Sequence, residues 1–156
     1  MATFKNLKDI ESYLQRNVHQ VLKGSMELER VLANKMSEMV VRVVYDMYEP
    51  QEYERRGMND GLSDPRNGII SDVIIEGNGR VRVIFENIAS GADTLIDDML
   101  VDTIEEGLKE NWMSPNSPYA DARPFMEETA NSIRQNPSEV IGAIKSGLKS
   151  AGFIVR

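Results

Sequence analysis

The side chains best suited to chemistry in this sequence form one acidic stretch: Asp93, Asp97, Asp98, Asp102, Glu105 and Glu106. Asp93, Asp97 and Asp98 fall on neighbouring turns of a helix, a spacing at which carboxylates could share a divalent cation or divide acid and base roles. Catalytic carboxylates usually come from different elements that converge on a pocket, however. A charged face beside an apolar stripe explains the same pattern without chemistry, and acids in a first helical turn also suit the helix dipole. His19 is the one histidine and there is no cysteine. The usual partners of a zinc site or a nucleophile–base pair are therefore missing, and His19 reads as structural or surface. Gly77-Asn78-Gly79 has the composition of a phosphate loop but lies between two strand patterns, with no Lys-Ser or Lys-Thr after it. No catalytic, cofactor-binding or metal-binding residue is assigned.

A second cluster, Tyr48, Tyr53, Arg55 and Arg56, joins aromatic and basic residues as nucleic-acid sites do. Glu49, Glu52 and Glu54 interleave it, and Tyr and Arg are equally the residues of protein interfaces. Interface is the better reading. Asp and Glu number 25 against 18 Lys and Arg, for a net charge of -7. A groove that reads DNA would be basic, so sequence-specific nucleic-acid binding is excluded. An acidic wall that DNA slides past is compatible. The lack of cysteine fits a reducing compartment. Lys5, Lys8, Asp9 and Glu11 break any signal-peptide pattern, and no uncharged run approaches the ~18 residues of a membrane span. The expectation is a soluble chain with no membrane partner.

The elements that must position these residues follow from periodicity. A chain of 156 residues fits one domain, 1–156. Residues 1–48 form an N-terminal helical region with apolar side chains at steps of three and four, among them Phe4, Leu7, Ile10, Leu14, Val18 and Leu22. Gly24-Ser25 interrupts the stripe as a helix end and a fresh N-cap, which favours two helices or one kinked helix. Residues 49–68 form a long loop rich in turn residues. Ile69 to Glu76 and Arg80 to Asn87 alternate as two strands of a hairpin. Helical spacing returns over 93–109. Pro124 suits the first position of a helix that stops near Asn136-Pro137, and a last helix from Ser138 closes at Gly152. Phe153-Ile154-Val155 has the composition of an added edge strand. The fold class is α+β: a long N-terminal helix or helix pair and C-terminal helices packed on a small antiparallel sheet.

Two segments carry a family resemblance. The first is Tyr53-Glu54-Arg55-Arg56-Gly57 followed by Gly61-Leu62 before the hairpin. The second is Ser117-Pro118-Tyr119, then Ala122-Arg123-Pro124-Phe125-Met126-Glu127, ending in Ile144-Lys145-Ser146-Gly147-Leu148-Lys149-Ser150-Ala151-Gly152. In this order they resemble the tail-component proteins of long-tailed bacteriophages, grouped with the minor tail protein Z of lambda-like phages. The resemblance implies a structural subunit of the neck or tail that completes the head–tail junction. It implies a sixfold or twelvefold ring in the particle, other neck and tail proteins as partners, and no cofactor. The free chain is compatible with a monomer.

A closed ring needs two different complementary patches on one subunit. The acidic residues 93–106 and the basic Arg55, Arg56, Arg80 and Arg82 are the pair on offer. Arg123 has no evident local need and is assigned to a subunit or partner contact. The loop, too long and polar for a plain connector, is expected to be mobile in the free chain and ordered in the assembly. Two other classes compete: a small metal-dependent hydrolase built on the acidic helix, and an acidic regulatory module that binds a basic protein.

Overall fold

The computed structural model describes residues 6–47, 56–76, 80–91, 100–107 and 121–155. Gly24-Ser25 separates two helices, α1 (Leu7–Lys23) and α2 (Met26–Met39). Asn6 caps α1 through the Asp9 amide, and Ser25 caps α2 through the Leu28 amide. Each side-chain oxygen satisfies one of the orphan N–H groups at a helix start. Helix α2 runs on without a break into a π-helical segment, Val40–Tyr45, whose i→i−5 bonding extends to the Asp46 N–H on Val41 O at 2.8 Å. The wider winding keeps Met36, Val40 and Val44, four residues apart, on one buried line.

Two strands follow, β1 (Gly68–Ile75) and β2 (Val81–Asn87), paired antiparallel from Gly68 opposite Asn87 to Ile75 opposite Val81. The register slips between Ile70 and Asp72, a one-residue bulge. At the bulge the Ile70 amide turns to Glu29 of α2, donating to Oε2 at 3.1 Å. Three short helices complete the described elements: α3 (Leu100–Glu106), α4 (Phe125–Gln135) and α5 (Ser138–Ser150). No helix among the described residues is long and apolar enough to cross a membrane. The α+β architecture is as the periodicity predicts.

Helix α2 is the axis of the packing, touching α4, α5 and β1. One apolar cluster joins its C-terminal half and the π segment to Leu62, Ala89, Ile104 and Phe125. The other joins Leu22, Leu28 and Leu32 to Ile70, Val73 and Ala143. The ring of Phe85 packs against both. β1 starts so close to α2 that a Cβ on Gly68 would lie 3.0 Å from Ala33 Cβ and 2.6 Å from Phe85 Cζ.

The structure departs from the sequence reading at Pro124 and at the C-terminal strand. Pro124 is the cap before α4 and not its first residue; Phe125 begins the helix. Phe153-Ile154-Val155 adds no strand. Gly152, at φ 87°, ends α5 in the left-handed conformation. Its N–H bonds Lys149 O at 2.9 Å, and the Phe153 N–H bonds Leu148 O at 3.0 Å, a double C-cap that spends the Phe153 amide on the helix. The described part of the long loop, from Arg56 onward, packs against the body. Leu62, Ser63, Asp64 and Asn67 are buried in it, and Ser63 O accepts from Ser37 Oγ of α2 at 2.7 Å.

Two substitutions test this packing. Phe125 is fully buried, so Phe125→Ala should cost about 3–5 kcal/mol in a urea melt; a loss under about 1 kcal/mol would remove it from the core. Gly68→Ala should destabilise by about 1–3 kcal/mol, the usual range for overpacking. An unchanged midpoint would show that β1 can retreat from α2 at no cost.

Candidate functional site

The end of β2, the residues after it, α3 and the start of α4 surround a cavity of about 550 Å³. Phe85, Ile88, Val101 and Met126 supply apolar walls, and Glu86, Asp102 and Glu105 supply carboxylates. The walls stand where they do because of two local devices, one at the corner between α3 and α4 and one in the loop before β1.

At the corner, the Arg123 N–H donates to Ile104 O at 2.8 Å, hooking the segment before α4 onto α3. Pro124 has no side-chain acceptor for the amides at the start of α4. Glu105 supplies one from α3. Its carboxylate accepts from the Met126 N–H at 2.5 Å and from the Glu127 N–H. One helix is thus capped by a carboxylate of another. Burial raises the Glu105 pKa above the ordinary carboxylate value, the two amides pull it down, and the charges of Glu127 and Asp102 push it further up. Inside the corner, Thr129 Oγ1 donates to Phe125 O at 2.7 Å, so the buried hydroxyl is satisfied.

In the loop, Asp64 caps the short 3₁₀ turn Pro65–Asn67. Its carboxylate accepts from the Asp60 and Arg66 amides, each at 2.9 Å, and from the Arg66 guanidinium. Those bonds, led by the Arg66 side chain, hold its pKa far below the carboxylate range. Asn67 Nδ2 donates to Gly61 O at 3.0 Å, and the Ile88 N–H to Asn67 O at 2.8 Å. Asn87 Nδ2 donates to Leu62 O at 2.8 Å and its Oδ1 accepts from the Ala89 N–H at 2.9 Å. Asn87, Ile88 and Ala89 line the cavity, so the loop braces one wall.

The residues singled out from sequence scatter over this frame. Tyr53, Arg55, Asp93, Asp97 and Asp98 lie outside the described residues. Asp102 and Glu106 are exposed and Glu105 is half-buried. Arg56 donates to Ser90 O of the cavity wall. Arg80 and Arg82 sit at the other end of β2, where Arg82 pairs with Glu76 at 2.6 Å. The structure therefore does not gather Arg56, Arg80 and Arg82 into one basic patch. Arg123 is only 9% exposed, so its side chain belongs to the inside of the corner and not to an outer rim. His19 lies 3.7 Å from Asp72 on the surface. Among the described residues no three His, Asp or Glu side chains gather as a metal ion would require.

Sequence reasoning missed Asp64, Asn67 and Asn87 as buried pins, and Glu105 as a cap. Asp64-Pro65 carried a signal, since Asp before Pro both starts a turn and caps it. Asn87, at the end of an alternating strand, carried none.

Comparison with known proteins places this geometry in a lineage. The family model described as YomN matches residues 6–150, and the chain belongs to that family. It is 28% identical over 156 residues to the SPbeta prophage-derived uncharacterized protein YomN of Bacillus subtilis (strain 168), with 96% of each chain covered. No solved structure matches it.

Glu105 gives the site a pH signature. Its folded pKa lies above the unfolded value near 4.5, so between the two the native state holds the extra proton and stability falls as pH rises. Glu105→Gln removes that fall while keeping a capping oxygen. The variant should gain on the parent as pH rises from about 4 to about 7 in paired denaturant melts. A variant that loses ground over that range would show that the charged cap outweighs its desolvation.

Proposed function

We propose that this chain, a member of the YomN family, is a structural subunit of a bacteriophage particle, acting in the neck or tail to complete the head–tail junction as part of a ring. The observation that carries the reading is the near full-length relationship to a prophage-derived protein. The family match spans residues 6–150, the stretch that holds most of both segments resembling phage tail-component proteins. In this reading the chain is not an enzyme. Its partners are further copies of itself and neighbouring neck and tail proteins. It assembles in the host cytoplasm and ends in the virion.

The surface agrees with a life in contacts. Leu7, Met26 and Ile154 are 84%, 85% and 96% exposed, large apolar side chains that a neighbour would cover at a gain. The net charge of -7 suits a wall past which DNA moves without adhering. The corner and loop are braced by hydrogen bonds, as suits a ring subunit whose contacts must repeat with one geometry.

The decisive experiment is on particles released from an induced host that carries the gene. Mass spectrometry should find the chain as a low-copy virion component, and cryo-electron microscopy should place it in a ring between head and tail. Inactivating the gene should leave heads and tails that fail to join. Normal infectious particles that lack the chain would overturn the proposal.

A further inference from the structure

Among the described residues β2 has one strand partner, β1, and no strand pairs with its other side. β1 is not open in the same way. Helices α1 and α2 pack against it, and its Ile70 N–H is spent on Glu29 Oε2 of α2. The register says which groups of β2 point outward. The Glu76 N–H bonds Arg80 O at 2.8 Å, so Arg80 directs its backbone toward β1. The alternation of an antiparallel ladder does the same for Arg82 and Ile84, and turns the N–H and C=O of Val81 and Val83 away. Phe85 also faces outward, because its partner Ile70 aims its own amide at α2. Among the described residues no backbone bond to another element takes up these groups. An edge of this kind is a template for a further strand. The bulge that would spoil it lies in β1, and β2 is regular from Val81 to Asn87.

The side chains select what can pair there. Val83 and Phe85 pack onto the apolar clusters, so Arg82, Ile84 and Glu86 share the opposite face. Arg82 and Glu86 are exposed, with the half-buried Ile84 between them. Opposite charges two residues to either side of Ile84 make the strand complementary to itself in reverse. When a second β2 lies antiparallel with Ile84 opposite Ile84, Arg82 of each copy falls opposite Glu86 of the other. The outward groups of Val83 and Phe85 then face one another and can exchange hydrogen bonds. Arg82–Glu86 and Ile84–Ile84 take the non-hydrogen-bonded sites, where facing side chains come closest. A slip of one residue would set outward groups against inward ones, and a slip of two would carry Arg82 away from Glu86. Arg82 already holds Glu76 at 2.6 Å, but its side chain is 66% exposed and a guanidinium has donors for a second carboxylate.

We propose that β2 pairs with β2 of a second copy of this chain, antiparallel about Ile84, joining two hairpins into one four-stranded sheet. The contact is isologous, the same strand on both sides of a twofold axis. Backbone hydrogen bonds hold the strands together, and the two Arg82–Glu86 pairs fix the register. The pairing goes beyond the proposed function and does not depend on it. It closes on two subunits and leaves Leu7, Met26 and Ile154, on other segments, for neighbours in a particle.

The full chain has no cysteine, so one can be placed at the twofold axis. Ile84→Cys should give a disulfide-linked dimer under mild oxidation, because residues facing at such a site lie within the Cα separation that a disulfide spans. Ser138→Cys, exposed on α5, should stay unlinked. In sedimentation velocity the parent should show a reversible dimer. Arg82→Glu or Glu86→Arg alone should weaken it roughly tenfold, and the two together in one chain should return it close to the parent. Thermal melts establish that each variant folds. A parent that stays monomeric at every concentration overturns the inference. So does a dimer that Ile84→Cys fails to lock, or a double variant that does not recover. Particles bear on the proposed function separately. A chain found between head and tail that never pairs through β2 removes only this contact, and a β2-linked dimer absent from particles removes only that function.

Discussion

The close approach of β1 to α2 at Gly68 and Ala33 is the constraint on which the rest of the molecule hangs. Helix α2 must be touched by a sheet on one side and by α4 and α5 on others. Small residues where the strand enters let the hairpin lie near enough for Phe85 to reach both apolar clusters. A longer standoff would leave that ring bridging nothing. The one-residue slip after Ile70 belongs to the same fit. It frees a strand amide for Glu29 of the helix, so a side-chain hydrogen bond locks the two elements where backbone pairing is interrupted.

Around this crossing the chain uses polar groups as fasteners. Asp64, Asn67 and Asn87 are buried yet each is spent on backbone partners, which is the condition for a buried polar group to hold a structure together instead of loosening it. Glu105 is the exception in kind, a carboxylate that caps α4 while crowded by Asp102 and Glu127. One side chain thus both stabilises the corner and charges the recess next to it.

Much of this was legible in the residues. The apolar stripe, the Gly24-Ser25 break, the alternation of the two strands and the helix after Pro124 all express local preferences that the tertiary structure leaves in place. Phe125 could be read as an anchor from its position at the start of an amphipathic helix. The π-helical segment could not, because Val40, Val43 and Val44 fit an α-helical stripe equally well. Phe153-Ile154-Val155 misled because composition favoured a strand while Gly152, in its left-handed conformation, had already committed the Phe153 amide to ending α5. Arg123 looked idle because its neighbours in space, from α3, are far away in the chain. Asn87 and Glu105 were silent for the same reason: the partner of a polar side chain is a tertiary fact.

The pins at Asn87 have a kinetic meaning. Their partners, Leu62 O and Met36 Sδ, lie 25 and 51 residues away along the chain. Contacts of such separation close large loops, an entropic cost that the local contacts within the helices and the hairpin do not carry. Interactions made late in folding do little for the speed of folding and much for the lifetime of the folded state, since they must break before the chain can open. Asn87 thereby ties the end of β2 both to the loop ahead of β1 and to α2.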